Sequence, residues 1–502
     1  MADLPTHTSV DLLIVGAGPG GTAAAIEARS AGLDVLVVDK ARFPRDKCCG
    51  DGLTTGALRR LDALGLDPEA VPSWQVVEEV HVRTPGGRNT VFPLPDDGVF
   101  AAVARRSELD AALVDRARAA GAEVVEACPL VEIEIDGNPT HPVTATVEPD
   151  GAAGPSTVRA RFAIAADGMW SPTRKFLGLD DGRYRGEWHA FRQYFTNVTG
   201  RAATDLLVWF EPDLLPGYAW SFPLAGGAAN VGFGILRQPG ESVQPMKQLW
   251  PELLARPHVV EALGRGAEPE AAHRAWPIPA RLGRLPVAHG PVLFIGDALA
   301  AADPMTGEGI GQALETGQAA VEAIVANTGD SAAAGAHYRH ELDRTMVRDH
   351  ALARALGRIL ASRRGADGAV RIAGATDWTR RNFARWLFED YPRAALATPN
   401  RWHRRLFTSP GAYRSNAPTS PAVPARSDGG AGSLDREPGV GEPVEPVQGL
   451  EERQPDQQLD DLLGVEVGGD GGDDDLGDVG RAGGAGPGQE DGGPLDQVKA
   501  GR

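Results

Sequence analysis

Cysteine is scarce in this chain: three in 502 residues, Cys48, Cys49 and Cys128. Three cysteines build no disulfide framework, and their spacing fits no metal-ligand pattern, so a reducing compartment and no bound metal are expected. Long hydrophobic runs are also missing, and none approaches the roughly 18–20 residues that a membrane-spanning helix needs. Met1 to Val10 is polar and lacks the apolar core of a signal peptide, which predicts a cytoplasmic protein. An excess of basic residues is absent, since the net charge is −18, and this argues against a nucleic-acid partner.

The charge is unevenly placed. Ser427 to Arg502 holds 19 acids against 5 bases and no Phe, Trp or Tyr, whereas the remaining residues hold 49 acids against 45 bases. Such a tail buries too little apolar surface to offset its chain entropy, so residues 415–502 are expected to be a disordered acidic tail, a solvated appendage rather than an interaction arm. The chain as a whole is 42% hydrophobic, which suits a sizeable core, and has room for two or three domains.

What is present begins with Asp11–Val15, an apolar run of the kind a buried parallel strand shows. It leads into Gly16-Ala17-Gly18-Pro19-Gly20-Gly21 and an alanine-rich helical segment, Thr22–Ala31. A second apolar strand, Leu33–Val38, ends at Asp39, 23 residues after Gly16, with Lys40 beside it. Strand, G-x-G-x-x-G, helix, strand and acid in register form a dinucleotide-binding unit. Gly16, Gly18, Gly20 and Gly21 let backbone and pyrophosphate approach, the helix N-terminus supplies N–H groups, and Asp39 binds ribose hydroxyls. The plainer alternative is a tight strand–helix turn.

Directly afterwards comes Arg45–Leu53, R-D-K-C-C-G-D-G-L, with Cys49 and Gly50 placed to run toward the reactive end of the bound dinucleotide. Arg161–Arg174 reads as a strand ending in Asp167-Gly168, and Pro291–Gly311 as a strand ending in Gly296-Asp297, followed by Asp303-Pro304 and Gly307-Glu308-Gly309. A strand-end aspartate suits a sugar-like hydroxyl, and the glycine turn aims amides at an anionic ring edge. Ordinary α/β turns are the alternative for each piece alone. Together, over about residues 10–330, these segments resemble the glutathione-reductase-type flavoproteins of the aromatic-hydroxylase branch. That resemblance implies FAD as the bound cofactor. By it, Asp297 holds the ribityl–pyrophosphate region, the Gly309 and Ile310 amides face the flavin pyrimidine edge, and Arg106 (Arg105 by a shift of one) lies near the cofactor.

Between the D-G and G-D motifs lie Glu187–Val198, Leu206–Glu211, Tyr218–Pro223 and Ala228–Leu236, short, aromatic-rich and separated by Gly/Pro turns. They read as an antiparallel sheet inserted into the FAD-binding fold, to which Val76–Pro93, turning at Pro85-Gly86-Gly87, adds a hairpin. Tyr218, Trp220 and Phe222 fall on one face by alternation, and Trp209 and Phe233 are expected to join them in a substrate pocket. Plain core packing is the alternative for each aromatic.

The segment Leu215-Pro216-Gly217-Tyr218-Ala219-Trp220-Ser221-Phe222-Pro223, with Asn230-Val231-Gly232 and R-D-K-C-C-G-D-G-L, is similar to the geranylgeranyl reductase family, particularly its actinobacterial menaquinone side-chain reductases. Cys48 stands where many members carry proline. The resemblance implies an FAD-dependent oxidoreductase that saturates C=C bonds of a long-chain isoprenoid, with NADPH or reduced ferredoxin as electron donor; there is no second G-x-G-x-x-G for a separate NADPH domain. Cys49, Tyr218 and Trp220 are the catalytic candidates, Cys49 by contact with flavin or alkene, although a small residue chosen for fit would look the same. The alternatives are a flavin-dependent hydroxylase or halogenase, whose W-x-W-x-I-P resembles Tyr218-x-Trp220-x-Phe222-Pro223, with Lys47 the only nearby lysine, and a non-enzymatic flavin binder.

These readings give an α/β fold with an α+β insert: FAD-binding parts at 1–70, 101–176 and 284–330, a hairpin at 71–100, an antiparallel substrate domain at 177–283 and a helical segment at 331–414. Within the last, Asp377–Phe407 interleaves Trp378, Phe383, Trp386, Phe388, Tyr391, Trp402 and Phe407 with seven arginines. That composition suits peripheral contact with a membrane surface, or a helix pair capping the pocket with its arginines in water. No partner protein is implied.

Overall fold

The computed structural model describes residues 7–180, 182–237, 244–390, 392–394 and 408–414. The expected disordered tail, and Tyr391, Arg401, Trp402, Arg404, Arg405 and Phe407, lie outside the described residues.

The first sheet is built on β1 (His7–Val15), whose Leu12, Leu13 and Ile14 are fully buried. Helix α1 (Pro19–Ser30) connects it to β2 (Val35–Val38), which pairs with it in parallel. On its other side β1 pairs in parallel with β3 (Ser156–Ala165), and β3 pairs in parallel with the strand Val292–Phe294. Apolar strands covered on both faces have no polar alternation to show, which is why they read as continuous runs. Four parallel strands therefore end together at one edge, and beyond them lie Gly16, Asp39, Asp167 and Asp297, at the carboxyl end where open α/β sheets bind ligands.

In the second sheet the order runs from β4 (Trp188–Thr196) through β7 (Ala228–Leu236) and β6 (Tyr218–Leu224) to β5 (Leu206–Trp209), all antiparallel neighbours. The expected hairpin, Glu79–Arg83 with Asn89–Pro93, adds to β5, but through a parallel pair, Leu206 to Trp209 alongside Val80 to Arg83. The sheet is thus mixed, not wholly antiparallel.

Directly paired residues share a face, and this register sorts the aromatics. Ala219 pairs with Phe233 on one side and with Trp209 on the other. These three lie on the face covered by the helices Gln244–Leu254 and Pro257–Leu263, where Phe233 stacks between Phe191 and Trp250. Tyr218, Trp220 and Phe222 alternate to the opposite face. Helix α2 (Ile310–Ala326) packs on α1, and further helices lead to α3 (Asp377–Leu387), which starts at a Thr376–Thr379 capping box.

Candidate functional site

A cavity of about 670 Å³ lies between the carboxyl edge of the first sheet and the open face of the second. The nucleotide end is walled by Gly16, Gly18, Gly20, Asp39, Lys40 and Arg45, and the middle by Lys47, Cys49, Gly50, Arg106, Asp167 and Asp297. Tyr218, Trp220 and Phe222 close the far end opposite Gly307, Glu308, Gly309 and Ile310.

Several features of the nucleotide end fit FAD. Gly16 has φ +106°, and a Cβ there would stand 2.3 Å from the Ala166 carbonyl oxygen, so only glycine allows the turn. A Cβ on Gly21 would lie 1.9 Å from the Gly16 oxygen, and Gly21 therefore seats the helix against the strand without lining the cavity. The first turn of α1 contains no acid and no side-chain cap, which leaves its positive end for a pyrophosphate. Asp39 is fixed by the N–H groups of Ala17 (2.7 Å) and Ala41 (2.8 Å). The Asp110 carboxylate takes two bonds from Arg106, both 2.8 Å, and an ion pair from Arg45 at 3.0 Å, orienting both guanidinium groups. Arg105 turns away to pair with Glu270, so Arg106 is the arginine that lines the cavity.

Asp167 accepts from the Thr173 N–H at 2.8 Å, and its burial raises its pKa above the ordinary carboxylate range. Asp297 pairs with Lys47 at 2.8 Å. Pro304 is absent from the lining, and its carbonyl instead accepts from Trp188 Nε1 at 3.0 Å. The Ile310 N–H is not directed at the cavity: with the Gly311 N–H it donates to Glu308 Oε1, both at 3.0 Å. Trp209 and Phe233, expected in the substrate pocket, are core residues on the far face of the sheet, because their pairing with Ala219 fixes them there.

The far end rests on a buried network that no motif signals. Asn230 accepts from Trp220 Nε1 (3.1 Å) and donates to the Cys49 carbonyl and to Asp51 Oδ2, both at 2.8 Å. Tyr194 adds a bond to the same Asp51 oxygen at 2.6 Å, and Arg192 lies 4.0 Å over the Tyr194 ring. Asp51 is fully buried at φ 66°, and its Oδ1 has no hydrogen-bond partner among the described residues. Desolvation pushes its pKa up to about 6 against the two bonds that favour its charge. Burial also pushes the Cys49 thiol up to about 11 and the Cys48 thiol up to about 12, so both are protonated near neutral pH. Cys128 is buried at the nucleotide end. Tyr218 donates to the Thr306 carbonyl, and burial raises its pKa well above that of a free phenol.

Asp51 was in view inside C-C-G-D-G-L, but one residue gives no sign that Tyr194 and Asn230 converge on it. Glu389 and Arg393 carried still less signal. Arg393 reaches Asp303, far back along the chain, at 3.3 Å, and pairs with its near neighbour Glu389, four residues before it, at 3.3 Å.

The FAD binding domain family matches residues 9–355. The menaquinone reductase of Mycolicibacterium smegmatis is 34% identical over 339 residues, 63% of this chain and 76% of that protein. This chain belongs to the geranylgeranyl reductase family of FAD-binding flavoproteins. It is also 32% identical over 326 residues to digeranylgeranylglycerophospholipid reductase 2 of Methanopyrus kandleri, 62% of this chain and 76% of the relative. The fold is shared with a geranylgeranyl bacteriochlorophyll reductase-like protein of Thermoplasma acidophilum at a TM-score of 0.66 and 22% identity, covering 79% of this chain and all (100%) of that one. Like its relatives in this family, the chain is built as an FAD-binding oxidoreductase. Among the described residues no helix is long and apolar enough to cross a membrane.

Proposed function

We propose that this protein is an FAD-dependent reductase that saturates C=C bonds of a long-chain isoprenoid, either a menaquinone prenyl chain or a geranylgeranyl lipid. The observation that carries the reading is the cavity itself: a dinucleotide-binding edge continues into a pocket walled by Tyr218, Trp220 and Phe222. An isolated alkene offers no charge to grip, so it must be held by shape and apolar packing with water kept out. Reduced FAD, when bound, supplies the hydride. Gly16, Gly18, Asp39, Lys40, Arg45, Arg106, Asp167 and Asp297 are the residues that would hold it. The Tyr218–Trp220–Phe222 face orients the chain of the substrate, and Asn230 fixes that face to the Cys49 loop. Cys49, protonated beside the pocket, is positioned for contact with the reacting carbons.

The test is anaerobic incubation with a polyprenyl quinone, with NADPH, reduced ferredoxin or dithionite as parallel electron sources. A product two mass units heavier than the substrate supports the reading, and the arm that turns over identifies the donor. A requirement for oxygen, with gain of oxygen or halide, would replace it with the hydroxylase or halogenase reading. Against halogenation, Lys47 is tied to Asp297, and the Ile310 and Gly311 amides that would attract an anion are taken by Glu308.

The same reading extends to the membrane surface where such substrates reside. Ile372 and Trp378 are 73% and 69% exposed, on helices that also carry Arg371, Arg380 and Arg381. Sedimentation with anionic liposomes checks this, and failure of a chain ending near Gly411 to bind removes it.

A further inference from the structure

Saturating a double bond takes up a proton as well as a hydride. The thiols and the phenol that line the cavity are weak acids in this setting: Cys49 and Tyr218 are both pushed upward by burial. A carboxyl group lies beside them.

Glu308 lines the cavity between Gly307 and Gly309, opposite Tyr218. Its Oε1 is fixed by two amides at the start of α2. A second carboxylate stands at the same helix turn. Glu389 accepts from Gln312 Nε2 at 2.8 Å and from Thr54 Oγ1 at 3.3 Å, and a Cβ on Gly311 would lie 3.6 Å from its Oε2. Arg393, buried, pairs with both Asp303 and Glu389 and so is already shared. Two carboxyl groups at one half-buried turn do not both ionise readily.

We propose that Glu308 is the acid that gives the proton to the alkene, and that Glu389, from the chain beyond residue 355, keeps it in its protonated form. This rests on the reductase reading above. In the step, the Glu308 O–H bond breaks and the alkene π pair forms a C–H bond at one carbon. FAD, when bound and reduced, would supply the hydride for the second C–H bond, and Glu308 is left as a carboxylate that regains a proton from solvent. Desolvation first, and then the charge of Glu389, push Glu308 up to about 8, while desolvation pushes Glu389 up to about 7. The groups that act on Glu308 are Glu389 and Asp303 directly, Arg393 and His350 through Asp303, and Tyr218 and Cys49 across the cavity. His350 is held down to about 4 by burial and stays neutral.

Glu308→Gln retains an oxygen for the two amides but has no proton to give, so it should fold and bind FAD. Its kcat for prenyl reduction is expected to fall about 10²–10⁴-fold with little change in KM. Wild-type kcat should fall along an alkaline limb near pH 8, and Glu389→Gln should move that limb down by roughly one pH unit by removing the neighbouring charge. Independently of turnover, infrared titration of the FAD-free protein should show protonated carboxyl absorption at pH 7 that Glu308→Gln diminishes. Wild-type rates and an unchanged profile in Glu308→Gln, or an infrared band unaltered by it, overturn the proposal while leaving the reductase reading intact. A wild-type protein that reduces no prenyl substrate from reduced FAD removes the reading and this proposal with it.

Discussion

The side-chain amide of Asn230 donates to the Cys49 carbonyl at 2.8 Å, and that bond joins the second sheet to the loop following the nucleotide-binding unit. The same side chain holds Trp220 and Asp51. Asn230 therefore ties the sheet face to the cysteine loop, alongside the Tyr194–Asp51 bond.

Asn230→Ala should be costly for that reason. It leaves the Trp220 N–H and the buried Asp51 carboxylate short of partners, each worth about 1–3 kcal/mol. Urea denaturation should show a loss of about 2–4 kcal/mol, and a loss below about 0.5 kcal/mol would mean that the network relaxes around the gap.

Gly16→Ala places a methyl group 2.3 Å from the Ala166 carbonyl oxygen. The variant should be purified without flavin, seen as loss of visible absorbance, and added FAD should not restore it. Flavin-replete Gly16→Ala protein would contradict the assigned nucleotide site.

Cys49 and Cys48 should alkylate slowly with iodoacetamide at pH 7.5 and faster as pH rises above 9, because burial keeps both thiols protonated. Cys49→Ala should still bind FAD but form product more slowly, and wild-type turnover would assign Cys49 to fit alone.

Gly232 sits beneath the Trp220 ring, and a Cβ there would lie 2.3 Å from that ring and 2.4 Å from the Phe191 carbonyl oxygen. Gly232→Ala should destabilise the protein by about 1–3 kcal/mol and depress activity by displacing Trp220. Unchanged activity together with unchanged stability would show that the ring is free to move.

Glu308 and Glu389 titrate above their unfolded value near 4.5, so the folded protein binds more protons than the unfolded chain between about pH 5 and 8. Their contribution to stability is therefore present in acid and declines as pH rises through that window. Glu308→Gln should flatten this slope and raise Tm at pH 9 relative to wild type by about 2–4 °C. A Tm difference that does not depend on pH would refute the linkage.

The nucleotide-binding half was legible because its determinants are local. Gly16 to Asp39 is one continuous strand–helix–strand unit, and each residue type has a single steric or electrostatic reason to be there. The aromatic face was half legible. Alternation along β6 groups Tyr218, Trp220 and Phe222, but it cannot say which face Trp209 and Phe233 share, since that depends on register with Ala219 on neighbouring strands. Glu308 stood in plain sight between two glycines, and nothing in its surroundings showed that its carboxylate folds back on the Ile310 amide. Glu389 was illegible, because only tertiary packing brings it to the start of α2.

The two-sided register of β6 also bears on descent. Ala219 lies on the core side of the sheet, whereas Tyr218 and Trp220 face the cavity, and Phe222 serves both the cavity and the core around Leu224. Lineages are thus able to reshape the pocket at Tyr218 and Trp220 with the interior beneath left as it is, whereas a change at Phe222 is felt by pocket and core together.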